Sequence, residues 1–141
     1  MSQYEVTDIN VPEWKALTYL QEHLPYMDKW NPQIRTEWFK WHWANGIVGI
    51  YEEDDVIHGV FVGRRVSDEQ QAKQEYAISL VGGILFVDQV AISNVSLKDF
   101  FLEGCKKFSW INFISFRRLE RKTFKTYPIN RFYNTLEKCK R

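Results

Sequence analysis

The chain has 141 residues, a formal net charge of +1, 45% hydrophobic residues and 16% aromatic residues. This length and composition predict one packed domain over residues 1–141, with a core large enough to fold alone. No apolar run approaches the ~20 residues of a membrane helix, so no membrane span is predicted. The first residues lack a positive region followed by an apolar stretch, so we expect no signal peptide and a cytoplasmic protein.

Cysteine and histidine usage gives no indication of a metal site. Cys105 and Cys139 form neither a disulfide framework nor a metal-binding spacing. His23, His42 and His58 are also far apart in the sequence. We therefore expect no metal and a reduced intracellular chain with two free thiols.

Charge is distributed unevenly along the chain. Residues 1–105 contain 8 Lys/Arg and 16 Asp/Glu, a net charge of 8 − 16 = −8, whereas residues 106–141 contain 11 and 2, a net charge of 11 − 2 = +9. The basic C-terminal segment 106–141 is compatible with a polyanion partner, with attraction to the acidic part of the same domain, or with a solvated basic surface.

Two helices are predicted first. Pro12 suits the first turn of a helix over 12–24, and Asn10 can cap it. Its expected apolar face contains Trp14, Leu17, Leu20 and Leu24.

The second helix, over 31–46, has clearer boundary signals. Asn31 is a capping residue, Pro32 fits the first turn, and Gly46 fits a left-handed C-terminal cap. Trp43 points elsewhere and is a candidate for a protein contact. The residues that recur at helical spacing are Ile34, Trp38 and Trp41, and His42 is expected to be structural.

Segments 47–51 and 56–66 predict a hairpin around the acidic turn EEDD. Residues 67–75 are polar and without period, which predicts a loop. A short strand is expected over 76–80, before the break at Gly82 and Gly83.

The second half predicts a strand–helix–strand unit. Segment 84–92 is the most buried-looking strand, Ser96 and Asp99 form a capping box for the helix 96–108, and 110–116 is another strand. The two strands are expected to be parallel or splayed neighbours with a right-handed crossover.

Beyond them, 117–128 is basic and irregular, and 128–138 is a candidate last helix. The fold class is therefore α+β (mixed α/β), with helices on both faces of a mixed sheet.

In this order of elements the chain resembles the GNAT superfamily of acyl-CoA-dependent N-acyltransferases. Strand 84–92 resembles the family's central strand, 96–108 resembles the helix that follows it, and 110–116 resembles the splayed partner strand. The sequence INRFYNTLEKCK loosely resembles the family's C-terminal motif and places Tyr133 where those enzymes often keep a general-acid tyrosine. The resemblance implies a GNAT-like fold and acetyl-CoA as the cofactor of an active member.

The cofactor loop of that family departs from its usual pattern in this chain. The family motif Q/R-x-x-G-x-G/A lets backbone N–H groups approach the pyrophosphate, but the window 93–98 reads SNVSLK and contains no glycine. Asp99 would also repel a phosphate at this helix terminus. We therefore predict a self-capped helix start and no bound cofactor in a non-catalytic chain. The residues that would hold acetyl-CoA are Val90, Ala91, Ile92, Ser96, Leu97 and Lys98.

With Tyr133 as the candidate acid, Asp88 is the candidate general base, or it orients a water that acts as the base. The alternative for Asp88 is a strand carboxylate paired with Arg or Lys. Strand alternation places Asp88 and Gln89 on opposite faces of the sheet. Glu75 and Tyr76 either line a substrate cleft in this region or form an ordinary loop edge.

Cationic and aromatic residues alternate in the C-terminal segment. Cations can neutralise phosphates and aromatic rings can stack on unpaired bases, so sequence-tolerant binding of nucleic acid or another polyanion is one hypothesis. A solvated surface and a docking surface for an acidic protein are the alternatives. The cations are Arg117, Arg118, Arg121, Lys122, Lys125 and Arg131.

Three functions follow as hypotheses: a non-catalytic binding or assembly module with a protein partner, an active N-acetyltransferase, and a polyanion-binding protein. Small GNAT-like proteins with eroded motifs occur in bacteriophages, and this similarity implies a virion-associated module. An enzyme should have an open cleft between 84–92 and 110–116. In a pure module we expect Phe86, Phe113 or Phe116 to close that gap.

Overall fold

The computed structural model describes residues 13–93, 99–101, 105, 108–118 and 123–131, with only the backbone described at 117, 118, 123 and 124. The helices are α1 (Glu13–His23), α2 (Pro25–Asp28), α3 (Pro32–Asn45) and α4 (Glu69–Lys73). The strands are β1 (Ile47–Glu53), β2 (Val56–Val66), β3 (Ile84–Ile92), β4 (Phe113–Arg118) and β5 (Thr123–Pro128). Residues 99–101 and 105 are also helical. The α+β class is confirmed, and no described helix is long and apolar enough to cross a membrane.

The five strands form one mixed sheet in the order β1-β2-β3-β4-β5. Only β3 and β4 run parallel, while the other three neighbouring pairs are antiparallel. The strand–helix–strand unit was expected to have parallel or splayed neighbouring strands, and the structure shows a parallel pair. The β3–β4 ladder runs from Ile84↔Phe113 to Val87↔Phe116, so it ends five residues before the end of β3.

Helix α3 begins as the sequence predicts and ends for a different reason. The Asn31 side chain accepts two backbone N–H groups of the first turn, at 2.9 and 3.1 Å. The predicted left-handed cap is wrong, because Gly46 has φ −100°. A Cβ at Gly46 would lie 2.5 Å from the backbone oxygen of Gly63, so glycine is needed for close approach to β2.

The β1–β2 hairpin closes on two residues rather than four. Strand β1 continues to Glu53, and the turn consists of Asp54 and Asp55, with φ 53° and 65°. Positive φ at both central residues is the pattern of a type I′ turn, whose twist matches that of the flanking strands. Aspartate adopts this conformation more readily than most residues.

Three predictions in the second half are wrong. The predicted loop 67–75 contains α4, because Asp68 accepts the Gln71 N–H at 2.9 Å and caps a helix too short to show a period. The predicted strand 76–80 is not a strand. The predicted irregular stretch 117–128 contains β5, a strand at the sheet edge, where polar residues are tolerated.

Apolar clusters cover both faces of the sheet. The first packs α1, α2 and α3 on one face, and its centre is Leu20, Phe39, Val48, Val60 and Val62. The second cluster lies on the other face and includes the helical residues Phe100, Phe101 and Cys105. There the Phe61 ring stacks on Phe101 at 5.1 Å and meets Phe100 edge-on at 5.6 Å. Helices on both faces are therefore confirmed.

Some helical aromatic and aliphatic residues lie elsewhere than predicted. Trp14 and Ile34 are 63% and 59% exposed, because the buried stripe of α1 runs through Ala16, Tyr19 and Leu20 and that of α3 begins at Trp38. Trp43 packs against the core beside Phe39, with ring centroids 5.8 Å apart. The i, i+4 spacing places these two rings on one helix face.

We expect Gly46→Ala to lower the free energy of unfolding by about 1–3 kcal/mol, because the new Cβ meets a backbone oxygen that cannot move aside. Gly83→Ala is the matched control. Its Cβ would meet the end of the Asn112 side chain at 3.0 Å, and that side chain can rotate away. Urea unfolding measures both variants, and equal losses would contradict the close-approach explanation.

Candidate functional site

A β-bulge in β3 organises the polar residues of the sheet. The β2–β3 register passes from Val62↔Gln89 to Gly63↔Val87, so Asp88 has no opposite residue in β2. An extra residue of this kind interrupts the alternation of side chains. Asp88 contacts Arg64 and Gln89 contacts Tyr26, both on the side covered by α1–α3. The prediction that Asp88 and Gln89 face opposite ways is therefore wrong.

Asp88 forms a two-point ion pair with Arg64, whose side chain is only 3% exposed. Arg64 Nε donates to Oδ2 at 2.9 Å and Nη2 donates to Oδ1 at 3.0 Å. Such a forked pair fixes the position of the carboxylate. The alternative reading of Asp88, a strand carboxylate paired with an arginine, is confirmed.

The other three N–H groups of Arg64 bind the end of α4 and the chain that follows it. Nη1 donates to the carbonyl oxygens of Gln74 at 2.6 Å and Ala77 at 3.0 Å, and Nη2 donates to that of Ala72 at 2.8 Å. All five guanidinium donors are therefore used, as the burial of a cation requires. The guanidinium also lies over the Phe86 ring, 5.2 Å from its centroid.

Arg65, the next residue of β2, holds the far end of the same stretch of chain. Its Nε donates to Gly82 O at 2.6 Å, and its guanidinium lies 4.5 Å from the Trp110 ring centroid. Its carbonyl oxygen accepts from Ser79 N at 2.8 Å. Ser79 Oγ in turn accepts the N–H groups of Val81 and Gly82, at 3.1 and 2.8 Å.

Residues 74–83, termed here the 74–83 segment, are thus fixed at both ends yet expose large apolar side chains. Leu80 and Val81 are 83% and 86% exposed, and Tyr76 is 42% exposed. Such side chains normally avoid water unless they serve a contact. The fixed backbone removes much of the ordering entropy that a contact would otherwise cost.

Tyr76 has an unusual backbone for an aromatic residue. Its φ is 61°, within a turn closed by the Ala77 N–H and the Gln74 oxygen at 3.3 Å. A left-handed conformation costs a residue with a Cβ about 1–2 kcal/mol. The conformation places the Tyr76 ring against Trp41, with centroids 5.0 Å apart and planes inclined by 64°.

His42 lies beneath this contact and is 2% exposed. Its Nδ1 is 2.9 Å from Trp38 O, so Nδ1 carries the hydrogen and donates it. Its Nε2 is 3.4 Å from Asp88 Oδ2, an ion-pair distance when the ring is protonated, but has no hydrogen-bond partner among the described residues. A buried ring against Trp38 supports the structural role expected for His42.

Two tyrosines connect the N-terminal helices to β3. The Tyr26 hydroxyl donates to Gln89 Oε1, and the Tyr19 hydroxyl is 2.7 Å from Ser93 Oγ. Burial raises the pKa of both tyrosines above the ordinary 10.0. The helix-facing polar groups of β3 are therefore largely occupied by partners within the chain.

The described half of the candidate cofactor site is ordinary strand. Val90, Ala91 and Ile92 pair with β2, Ala91 lies in the first core cluster, and the other two pack against the second. The other candidates, Ser96, Leu97 and Lys98, lie outside the described residues.

The three phenylalanines expected to close the β3–β4 gap lie in three different environments. Phe86 packs against α4 with Val66 and Ala72, and Phe113 is 41% exposed, so neither fills the gap. Phe116 stacks on Tyr127 of β5, with centroids 5.9 Å apart.

The C-terminal candidates are only partly described. The backbones of Arg117 and Arg118 lie in β4, Lys125 is half-buried in β5, and Arg131 is exposed. Tyr133, Arg121 and Lys122 lie outside the described residues. A shared basic face and a general-acid role for Tyr133 remain predictions.

Comparison of the chain with protein-family models, with curated proteins and with solved structures found no match. Function is therefore inferred from geometry. The residues that organise the site, Arg64 and Arg65, were not among the sequence candidates. Two consecutive arginines inside an otherwise apolar strand were the available signal, because such charges are buried only with partners.

We expect Arg64→Met to lower the free energy of unfolding by about 3–5 kcal/mol, because it leaves Asp88 and three carbonyl oxygens without their donor. Arg131→Met removes the same charge from an exposed position and should change stability by less than about 0.5 kcal/mol. Urea unfolding measures both, and a similar small loss for both variants would contradict the role given to Arg64.

The raised pKa of Tyr26 predicts a pH dependence. The unfolded chain loses this proton near pH 10.0, whereas the folded chain retains it to higher pH. The raised pKa of Tyr26 therefore adds to the free energy of unfolding in full below pH 10.0. This addition is lost as the pH rises through the pKa of the folded state. We expect the stability difference between the wild type and Tyr26→Phe to shrink over that range. A constant difference in alkaline urea unfolding would refute it.

Proposed function

We propose that the chain is a non-catalytic binding module that docks on a protein partner through the 74–83 segment. The observation that carries this proposal is the exposure of Leu80 and Val81 on a backbone fixed by Arg64 and Arg65. A partner with an apolar pocket would bury both side chains without first ordering them. Burying one such side chain typically contributes about 1.5–3 kcal/mol.

The state of Asp88 favours a module over an enzyme. A general base must have a lone pair free to accept a substrate proton. Both carboxylate oxygens of Asp88 accept from Arg64, and its Oδ2 also lies beside His42. The carboxylate is therefore engaged in structural contacts within the fold.

We further propose that the fold is a divergent GNAT-like one. The order of elements supports this, with helices before the β1–β2 hairpin and a parallel β3–β4 pair that separates after Val87. Because the family's glycine loop is missing, the module needs no cofactor. A partner within an assembly such as a phage virion follows from the resemblance alone.

One observation favours a second candidate, an acetyl-CoA-dependent N-acetyltransferase. The β3–β4 ladder ends at Val87 and Phe116, so the last part of β3 separates from its neighbour. That separation is where an enzyme of this class would admit a pantetheine arm. The same separation is compatible with a non-catalytic module that retains the fold.

Thermal unfolding with and without millimolar acetyl-CoA separates the two candidates. For a module we expect no shift in Tm and no acetyl transfer to lysine peptides. A ligand at 100 times its Kd would add about 2.7 kcal/mol, which shifts Tm by several degrees in a domain of this size. A shift of that size that persists at high salt, together with acetyl transfer, would replace the module with the enzyme.

The docking role is tested with Leu80→Ser/Val81→Ser. We expect this variant to lose a partner that the wild type captures from an extract of the source cell and then binds as a purified protein. The control, Ile34→Ser/Val56→Ser, removes two other exposed aliphatic side chains, one on α3 and one on β2. Equal binding by both variants would contradict docking through the 74–83 segment.

A further inference from the structure

The buried ring of His42 faces an oxygen acceptor at each of its two nitrogens. Nδ1 lies 2.9 Å from Trp38 O, and Nε2 lies 3.4 Å from Asp88 Oδ2. A neutral imidazole carries one N–H group, so it donates to one of these oxygens and leaves a lone pair facing the other. With the hydrogen on Nδ1, the atom left without a hydrogen-bond partner among the described residues is Nε2. Only the doubly protonated ring donates to both oxygens.

The Asp88 carboxylate has room for this additional donor. Arg64 uses one donor on each carboxylate oxygen, Nε on Oδ2 and Nη2 on Oδ1. A carboxylate offers about four lone-pair sites, so Oδ2 can accept a second hydrogen while it keeps the first. The Asp88 side chain is 17% exposed, so this side of the contact is open to exchange of a proton with solvent.

Titratable and charged groups near the His42 ring come from β2, β3, α3 and the 74–83 segment. They are Arg64, Asp88, Glu37, Glu75 and Tyr76. The Tyr76 ring centroid lies 6.2 Å from that of His42. Burial, and then the charges of Glu75 and Glu37, raise the pKa of the Tyr76 hydroxyl, so this hydroxyl is uncharged at neutral pH. Among the described groups, only Asp88 lies within ion-pair distance of Nε2, so Asp88 is the acceptor for a proton on that atom.

The contact between His42 and Asp88 is connected to the first residues of the 74–83 segment by two routes. Arg64 binds Asp88 and also donates to the carbonyl oxygens of residues 74 and 77. The His42 ring lies beside the Tyr76 ring, which is part of the same turn. A change in the distance between Nε2 and Asp88 Oδ2 therefore reaches the segment through both its backbone and its aromatic side chain.

We propose that His42 is a pH switch for the conformation of the 74–83 segment. The charged ring donates Nε2–H to Asp88 Oδ2 and connects α3 to β3 beside the Arg64 ion pair. Loss of that proton leaves a nitrogen lone pair against a carboxylate oxygen, and the two atoms repel each other. The ring then moves away from Asp88, and its contact with Tyr76 loosens.

The direction of the switch follows from the state that satisfies the contacts. Acidic conditions charge the ring and fix the 74–83 segment, whereas alkaline conditions discharge the ring and loosen the segment. A loosened segment must be ordered again when a partner binds, which weakens binding. This inference rests on the proposed docking function, because the switch regulates the segment that displays the docking side chains.

Nitrogen NMR of the full-length chain measures the charge of the ring directly. We expect both ring nitrogens of His42 to carry hydrogen at about pH 5, and only Nδ1 to carry it at about pH 8. The exposed ring of His23 on α1 is the internal reference. A His42 ring with the same protonation at both pH values would overturn the proposal.

Amide hydrogen exchange measures whether the ring controls the segment. Each exchange rate is divided by the intrinsic rate at the same pH, so that base catalysis of exchange cancels. We expect the protection of the hydrogen-bonded N–H groups of Ala77 and Ser79 to fall roughly 3- to 10-fold from about pH 5 to pH 8. The Arg35 N–H, bonded to Asn31 O in the first turn of α3, should stay within about twofold. Unchanged protection at both segment residues would refute the switch.

Two substitutions separate a switching role from a packing role. His42→Gln keeps an N–H donor near the position of Nε2 and carries no charge, so protection should stay near the acidic wild-type value at both pH values. His42→Phe fills a similar volume without a donor, so protection should stay near the alkaline wild-type value. The matched control His23→Phe should keep the full pH response. A wild-type pH response in both His42 variants would contradict the switch, and the wild-type measurements above do not depend on either variant folding.

The outcomes separate this inference from the proposed function. Protection that does not respond to pH would overturn the switch, even if Leu80→Ser/Val81→Ser loses the partner. If instead the segment responds to pH and that variant binds the partner as well as the wild type does, docking through the 74–83 segment is overturned. The switch would then stand as a property of the fold.

Discussion

The Arg64–Asp88 ion pair is the interaction on which the helix-facing half of the sheet depends. Removing a cation from water is tolerated only when its donors find acceptors, and all five donors of Arg64 do. Two of them hold the carboxylate of Asp88 at the β-bulge, and three hold the end of α4 and the chain that leaves it. Alternation from Phe86 already places Asp88 on the helix-facing side, and the bulge adds Gln89 to that side, which would otherwise face the second cluster with Leu85 and Val87.

The same interaction connects the interior to the surface. Arg64 and Arg65 point to opposite faces of β2, yet both bind the chain between β2 and β3. One holds its beginning and the other its end. A stretch that the sequence presents as a loop and a short strand is therefore a rigid display of Tyr76, Leu80 and Val81. The left-handed φ of Tyr76 is consistent with a fixed segment, because a strained backbone conformation persists only where the contacts around it hold it in place.

A GNAT-like origin and a docking role are compatible. The sheet has a parallel β3–β4 ladder of four residue pairs. Yet the polar groups on its helix face bind one another: Asp88 binds Arg64, Gln89 binds Tyr26, and Ser93 binds Tyr19. A strand whose reactive groups are satisfied internally serves stability better than chemistry. The docking that we propose then involves the 74–83 segment.

Local signals in the sequence determined the helices near 13–23 and 32–45, the β1–β2 hairpin, the extent of β3 and its parallel pairing with β4. Helix caps, turn residues and the hydrophobic period each depend on residues close together in the chain, and so the sequence alone indicates them. The tertiary structure alone decided that Asp88 and Gln89 share a face, that β5 exists, and which conformation residues 74–83 adopt. These depend on partners distant in the chain: Arg64 bonds to residues 8, 10, 13 and 24 positions away. Only the folded sheet brings such partners together, because burying the charge without them would cost too much free energy.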